Sequence, residues 1–271
     1  MIQHFVQLNG LRLHYMRGGS GPTLLLLHGV TDHAAYWGWT ARQLAQNFDV
    51  IAIDQRGHGL SDSPPSGYRL TDYVADAYAV LLKFATGPAI VVGHSFGGWV
   101  GNRLAAQHPE LVRALILEDP PFAGQTPRVV TAQEADAGRY AWFAWLRDLA
   151  GLTREQLAAK CAVDNPGWSA EDCDHWATSK LQVRARIYAV DGIEFDTHWQ
   201  DAATRVICPT LLIHGDGERG SIVTASSAAF AQTLIPACQT AYIAGAGHAI
   251  HRDQPQAMLS AMRAFIAGLS P

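Results

Sequence analysis

Cysteine is scarce in this sequence and widely scattered. Its four residues, Cys161, Cys173, Cys208 and Cys238, form no CxxC or CxxH pair. That pattern argues against a disulfide scaffold and a zinc site, and leaves free thiols of a cytoplasmic protein as the expectation. Charge is sparse as well, at 16% of residues with a net value of −4. With no basic field and no Lys/Arg cluster interleaved with aromatics, a nucleic-acid partner is not expected. No apolar run reaches the ~20 residues of a membrane span, so no membrane partner is expected either. The opening residues Met1–Gln7 alternate apolar and polar like a strand and lack the charged start and apolar core of a secretion signal. Internal repeats and low-complexity tracts are also missing.

What the chain does have is apolar residues in short runs. At 271 residues and 48% hydrophobic, it is long enough for one α/β domain with a sizeable core. Two strands, about 3–8 and 11–17, flank Asn9-Gly10, a pair suited to a tight hairpin. Runs without alternation follow at 23–27, 50–53, 89–92, 114–117 and 210–213, as expected of parallel strands buried on both faces. Helix-length segments lie between them, including 34–47, 71–86 and 97–108. This alternation predicts a doubly wound, mostly parallel sheet. Residues 122–200 break it: they are helix-rich and hold five of the eight tryptophans. The expectation is a core of residues 1–121 and 201–271 with a helical cap, 122–200, inserted between two strands. Trp142, Trp145 and Trp168 are the expected lining of an apolar pocket beneath it.

The sharpest chemical signal is Gly93-His94-Ser95-Phe96-Gly97, which closes one strand and opens a helix. A serine at such an elbow is held clear of the chain, and the flanking glycines allow neighbouring backbone to pass close by. The following helix directs its N-terminal dipole at the site, which favours developing negative charge. His28-Gly29-Val30 ends an earlier strand, and the backbone N–H groups of Val30 and Phe96 are candidates for an oxyanion hole.

Asp54-Gln55-Arg56-Gly57-His58-Gly59-Leu60-Ser61 follows the strand at 50–53. With the serine elbow and His28-Gly29, this segment resembles the α/β-hydrolase superfamily over residues 20–120 and 205–265. The resemblance implies an eight-stranded α/β-hydrolase sheet with a helical cap, Ser95 as nucleophile, and no metal or organic cofactor. It also implies that Asp54, Arg56 and Ser61 are architectural. The general base is then a late histidine in the loop after the last strand, and His248 in Gly245-Ala246-Gly247-His248, which follows the apolar run Ala241–Ala244, fits that place.

The acid stays open among three residues. The usual place after the seventh strand reads His214-Gly215-Asp216-Gly217-Glu218, which offers Glu218 or Asp216. Some branches of the superfamily carry the acid after the sixth strand instead, 24 residues beyond the nucleophile, and here that residue is Asp119. The expected reaction is acyl transfer from a small ester or lactone to water, in a monomer or homodimer. A carbon–carbon bond hydrolase of the meta-cleavage type, a lyase, a cofactor-free oxygenase and a ligand receptor are the alternatives on the same scaffold. Serine at the elbow argues against the epoxide hydrolase and dehalogenase chemistries, whose enzymes carry Asp there.

Overall fold

A computed structural model of the chain describes residues 1–122, 144–146, 148–149, 151–183 and 198–269. Eight strands form one sheet: β1 (Ile2–Leu8), β2 (Leu11–Gly18), β3 (Thr23–Leu27), β4 (Asp49–Ile53), β5 (Ala89–His94), β6 (Val112–Glu118), β7 (Thr210–His214) and β8 (Cys238–Tyr242). Their order is β1-β2-β4-β3-β5-β6-β7-β8. The β1–β2 and β2–β4 pairs are antiparallel and all the others parallel. The runs read as buried strands are buried along their whole length. β8 differs, because Cys238-Gln239-Thr240-Ala241-Tyr242 is largely exposed at the sheet edge. The apolar run at 241–244 therefore begins as the strand is ending.

Successive residues of each central strand face opposite layers. Leu25 and Leu27, Ile51 and Ile53, Val91, and Leu115 and Leu117 pack on one side with α2 (Leu70–Phe84) and α3 (Phe96–Gln107). Leu24 and Leu26, Val50 and Ala52, Ile90 and Val92, and Ala114 and Ile116 pack on the other with α1 (Gly38–Leu44) and the last helix, Pro255–Ala267. β3 lies between β4 and β5, so connections leave its neighbourhood in opposite directions. The crevice at the carboxyl ends of strands at such a switch point is where open α/β sheets bind ligands.

Between β6 and β7 the chain forms α4 (Arg154–Asp164) and α5 (Ala170–Gln182). Capping boxes start both: Thr153 accepts from Gln156 N–H, and Ser169 from Asp172 N–H. At the two roots of this segment the rings of Phe122 and Trp199 stack at 3.9 Å, both buried.

The Asp54–Ser61 segment is a hydrogen-bonded hub. The Asp54 carboxylate accepts from Ala34 N–H at 2.6 Å and Leu60 N–H at 2.8 Å and lies 2.7 Å from His14 Nδ1. Ser61 Oγ donates to the Asp54 carbonyl. Arg56 forms a bidentate pair with Asp76, at 2.6 and 2.7 Å, and both side chains are buried. Removing one member of a buried pair strands the other charge. Asp76→Ala is expected to cost about 3–5 kcal/mol, read as a lower urea midpoint, whereas an unchanged midpoint would mean that water can reach Arg56.

Candidate active site

The glycines around Ser95 are dictated by contact. A Cβ on Gly93 would lie 2.2 Å from the Gly97 carbonyl oxygen, and one on Gly97 2.2 Å from that of Leu27. Ser95 itself has φ +51° and ψ −119°, a strained conformation for a side-chain-bearing residue, of the kind that persists where the surrounding structure imposes it. Its N–H donates to the Glu118 carbonyl at 2.9 Å, and its carbonyl accepts from Gly98 N–H at 2.8 Å. The elbow is thus tied to β6 and to the first turn of α3.

His248 lies between β8 and α6 (Ile250–Asp253). Its Nδ1 is 2.6 Å from Asp119 Oδ2. Asp119, with φ +41°, directly follows β6 and is completely buried. Its carboxylate accepts three further bonds: from Ser221 Oγ at 2.7 Å, Ile222 N–H at 2.8 Å and Val223 N–H at 2.9 Å. The other two carboxylates lie elsewhere. Asp216 accepts from the Tyr242 hydroxyl and from Gly245 N–H. Glu218 is exposed on the short turn Gly217–Arg219. Of the three candidates, only Asp119 is brought to His248.

Val30 lines the cavity in front of Ser95, and Phe96 opens α3 directly after it. The peptide between Gly29 and Val30 is fixed by its carbonyl, which accepts from Asp32 N–H at 3.1 Å and lies 2.7 Å from His28 Nδ1. The next carbonyl, of Val30, is 2.7 Å from His58 Nε2. Burial, and then His58, push the His28 imidazole down to about 3, and burial likewise lowers His58. The His28 ring is therefore neutral at pH 7. Sequence reasoning missed the support from His58, because nothing local marks a histidine that bonds a loop 28 residues away.

A second pair lies behind the site. His251 donates its backbone N–H to Glu118 Oε1 at 2.8 Å, and its Nδ1 is 2.8 and 2.9 Å from the two carboxylate oxygens. Burial pushes the Glu118 carboxyl up, but His251 and His94 outweigh it and leave the group below its ordinary value. His94 Nε2 donates to the His248 carbonyl at 3.0 Å. Burial lowers His94 and His33 to about 4. For a base with a depressed folded-state value, the stability it confers is complete above the ordinary 6.5 and is lost as pH falls toward the folded value. The melting temperature is therefore expected to fall continuously from pH 6.5 to pH 4, as His28, His33 and His94 take up protons on unfolding. A flat profile there would mean that these rings are charged in the fold.

The cavity measures about 250 Å³ and has the side chains of Ser95 and His248 in its wall. Trp145 and Trp168 line it, joined by Trp176, Asn165 and Lys180, which sequence reasoning did not single out. Trp142 lies outside the described residues. Trp168 Nε1 donates to Asp253 at 2.6 Å, and Asp253 accepts from Gly247 N–H at 2.6 Å, which ties the cap to the His248 loop. Among the described residues no cluster of His, Cys, Asp or Glu could hold a metal ion.

A strained serine on a strand-to-helix elbow, with a carboxylate-bound histidine from the last loop beside the same cavity, also matches a known family. The match to the alpha/beta hydrolase family runs over residues 24–261. The chain belongs to this family. Over 98% of its length, this hydrolase is 30% identical to 2-(acetamidomethylene)succinate hydrolase of Mesorhizobium japonicum, of which 95% is covered. It is 31% identical over 96% of its length to N-formylmaleamate deformylase of Pseudomonas putida, again covering 95%. The crystal structure of N-formylmaleamic acid deformylase from Pseudomonas putida superposes with a TM-score of 0.78 at 28% identity, over 96% of this hydrolase and 100% of that chain. The structure of E-2-(acetamidomethylene)succinate hydrolase gives 0.77 at 28% identity, over 98% and 99%.

Proposed function

We propose that this hydrolase cleaves a small carboxylic ester or lactone through an acyl-enzyme on Ser95. The observation that carries the reading is the His248–Asp119 contact of 2.6 Å in a loop that shares the Ser95 cavity. In this mechanism Ser95 Oγ attacks the acyl carbonyl and passes its proton to His248 Nε2. Asp119 holds the Nδ1 proton, fixes the tautomer and stabilises the imidazolium. The N–H groups of Val30 and Phe96 receive the oxyanion, an interaction whose loss costs about a hundred- to a thousand-fold per donor. His248 then protonates the leaving group, and a water repeats the sequence on the acyl-enzyme. The cavity of about 250 Å³ lies below the roughly 300–1,000 Å³ of drug-sized sites, which favours a small substrate.

A second reading concerns the bond and not the chemistry. The names of two relatives specify an N-acyl group, acetamido in one and N-formyl in the other, on small carboxylic acids. A small N-acyl substrate would use the same residues, with nitrogen as the leaving atom.

The experiment compares steady release of p-nitrophenol from its acetate and butyrate with turnover of N-formylmaleamate and 2-(acetamidomethylene)succinate. A kcat/KM higher for the esters supports the first reading, and one higher for the N-acyl acids supports the second. No turnover of any of them, together with no labelling of Ser95 by a fluorophosphonate, overturns both.

A further inference from the structure

Lys180 on α5 is a buried ammonium in the wall of the catalytic cavity, and the mechanism above does not use it. Its side chain is 2% exposed. Nζ donates to the Thr31 carbonyl at 3.0 Å, to Thr31 Oγ1 at 2.7 Å and to Asp32 Oδ1 at 3.1 Å. An ammonium has three N–H donors, and all three are engaged here. Asp32 balances its charge, so Lys180 is not disposed to bind a substrate anion. The faces of Trp176 and Trp145 lie 5.3 and 6.0 Å from Nζ, which favours a cation at this place.

All three acceptors belong to one turn. It runs from Gly29 to Asp32 and is closed by Asp32 N–H donating to the Gly29 carbonyl. In a trans peptide the carbonyl and the following N–H point in opposite directions, so whatever fixes the Gly29 carbonyl also aims the Val30 N–H. The turn has little slack: a Cβ on Gly29 would meet Asp32 Oδ2 at 2.8 Å and His94 Nδ1 at 2.9 Å. Burial pushes the Asp32 carboxyl up, but Lys180 and then His94 outweigh it and keep the group ionised.

We propose that Lys180 is a positioning residue that clamps the Gly29–Asp32 turn from the cap and thereby sets the aim of the Val30 N–H at the oxyanion. The assignment rests on the acyl-transfer reading of Ser95. It also makes the oxyanion hole depend on a residue that lies 149 positions from Thr31 and belongs to the segment between β6 and β7.

The test compares wild type, Lys180→Met, Lys180→Arg and Thr31→Val. It reads kcat and KM for p-nitrophenyl acetate and the Ki of a trifluoromethyl ketone, whose serine adduct carries an oxyanion. Lys180→Met is expected to lower kcat by roughly ten- to a hundred-fold, the scale of a misplacement near 1 Å. KM should stay within about three-fold, and the ketone should weaken by the same factor as kcat. Lys180→Arg is expected to recover part of the loss. Thr31→Val keeps the ion pair and removes one acceptor, so kcat and ketone affinity should fall by about three- to ten-fold.

Unchanged kcat and ketone affinity in Lys180→Met overturns the clamp, and so does a loss that merely tracks the folded fraction measured by circular dichroism. If Lys180→Met does not fold, Thr31→Val decides, and unchanged ketone affinity in that variant overturns the clamp. A wild type that neither turns over esters nor labels with a fluorophosphonate overturns the Ser95 reading and the clamp with it. An active wild type matched by its variants overturns the clamp alone.

Discussion

Ser95→Ala is expected to lower kcat by roughly a million-fold, the scale on which a serine hydrolase loses its nucleophile. The fold should survive, because alanine fits φ +51° about as well or as badly as serine does. The elbow bonds, Ser95 N–H to the Glu118 carbonyl and Gly98 N–H to the Ser95 carbonyl, are all main-chain. Melting temperature and substrate KM should therefore change little while turnover disappears. Kinetics on the best substrate, with mass spectrometry to exclude wild-type contamination, provides the check. A variant that keeps even a hundredth of wild-type kcat would mean that the acyl group is never carried on Ser95.

Asp119→Asn should be the next most damaging change, with kcat lower by about ten thousand-fold, as when the acid of a serine-protease triad is made an amide. All four groups around the carboxylate act as donors toward it: Ser221 Oγ and Val223 N–H on Oδ1, Ile222 N–H and His248 Nδ1 on Oδ2. An asparagine must place its NH₂ against one of these edges. Facing His248, it forces the tautomer with the proton on Nε2, where it can no longer accept a proton from Ser95. Facing Ser221 and Val223, it sets a donor against a main-chain N–H in a fully buried place. Glu218→Gln, by contrast, should leave kcat within about two-fold, since the side chain is exposed and away from His248. Asp216→Asn should act through stability alone, by weakening the tie to Tyr242 and Gly245. A larger loss in Glu218→Gln than in Asp119→Asn would overturn the assignment of the acid.

The parts of this site that could be read from sequence are those whose chemistry is local. Ser95 announced itself because strand, glycine pair and helix are contiguous, and His248 because the resemblance asks for a late histidine and a short glycine-rich loop after an apolar run holds one. The hub at Asp54, Arg56 and Ser61 was legible through the resemblance to the superfamily, whose segment it repeats in one contiguous stretch. The acid was not, because three carboxylates occupy chemically acceptable stretches of chain and only the pairing of β6 with β7 decides which of them meets His248. Lys180 and His58 were less legible still. Each works on a turn far away in sequence, and a lysine in a polar helix such as α5 reads as solvated. β8 was displaced from its apolar run because an edge strand needs only one buried face, so Cys238-Gln239-Thr240 could pair with β7 without being hydrophobic.

The three donors of Ser221, Ile222 and Val223 close on Asp119 from the very loop in which most members of the superfamily carry the acid. Here the end of β6 supplies the charge and the loop after β7 the receptacle, facing each other across one crevice. A change in the 221–223 loop would therefore reach His248 through the carboxylate that it holds.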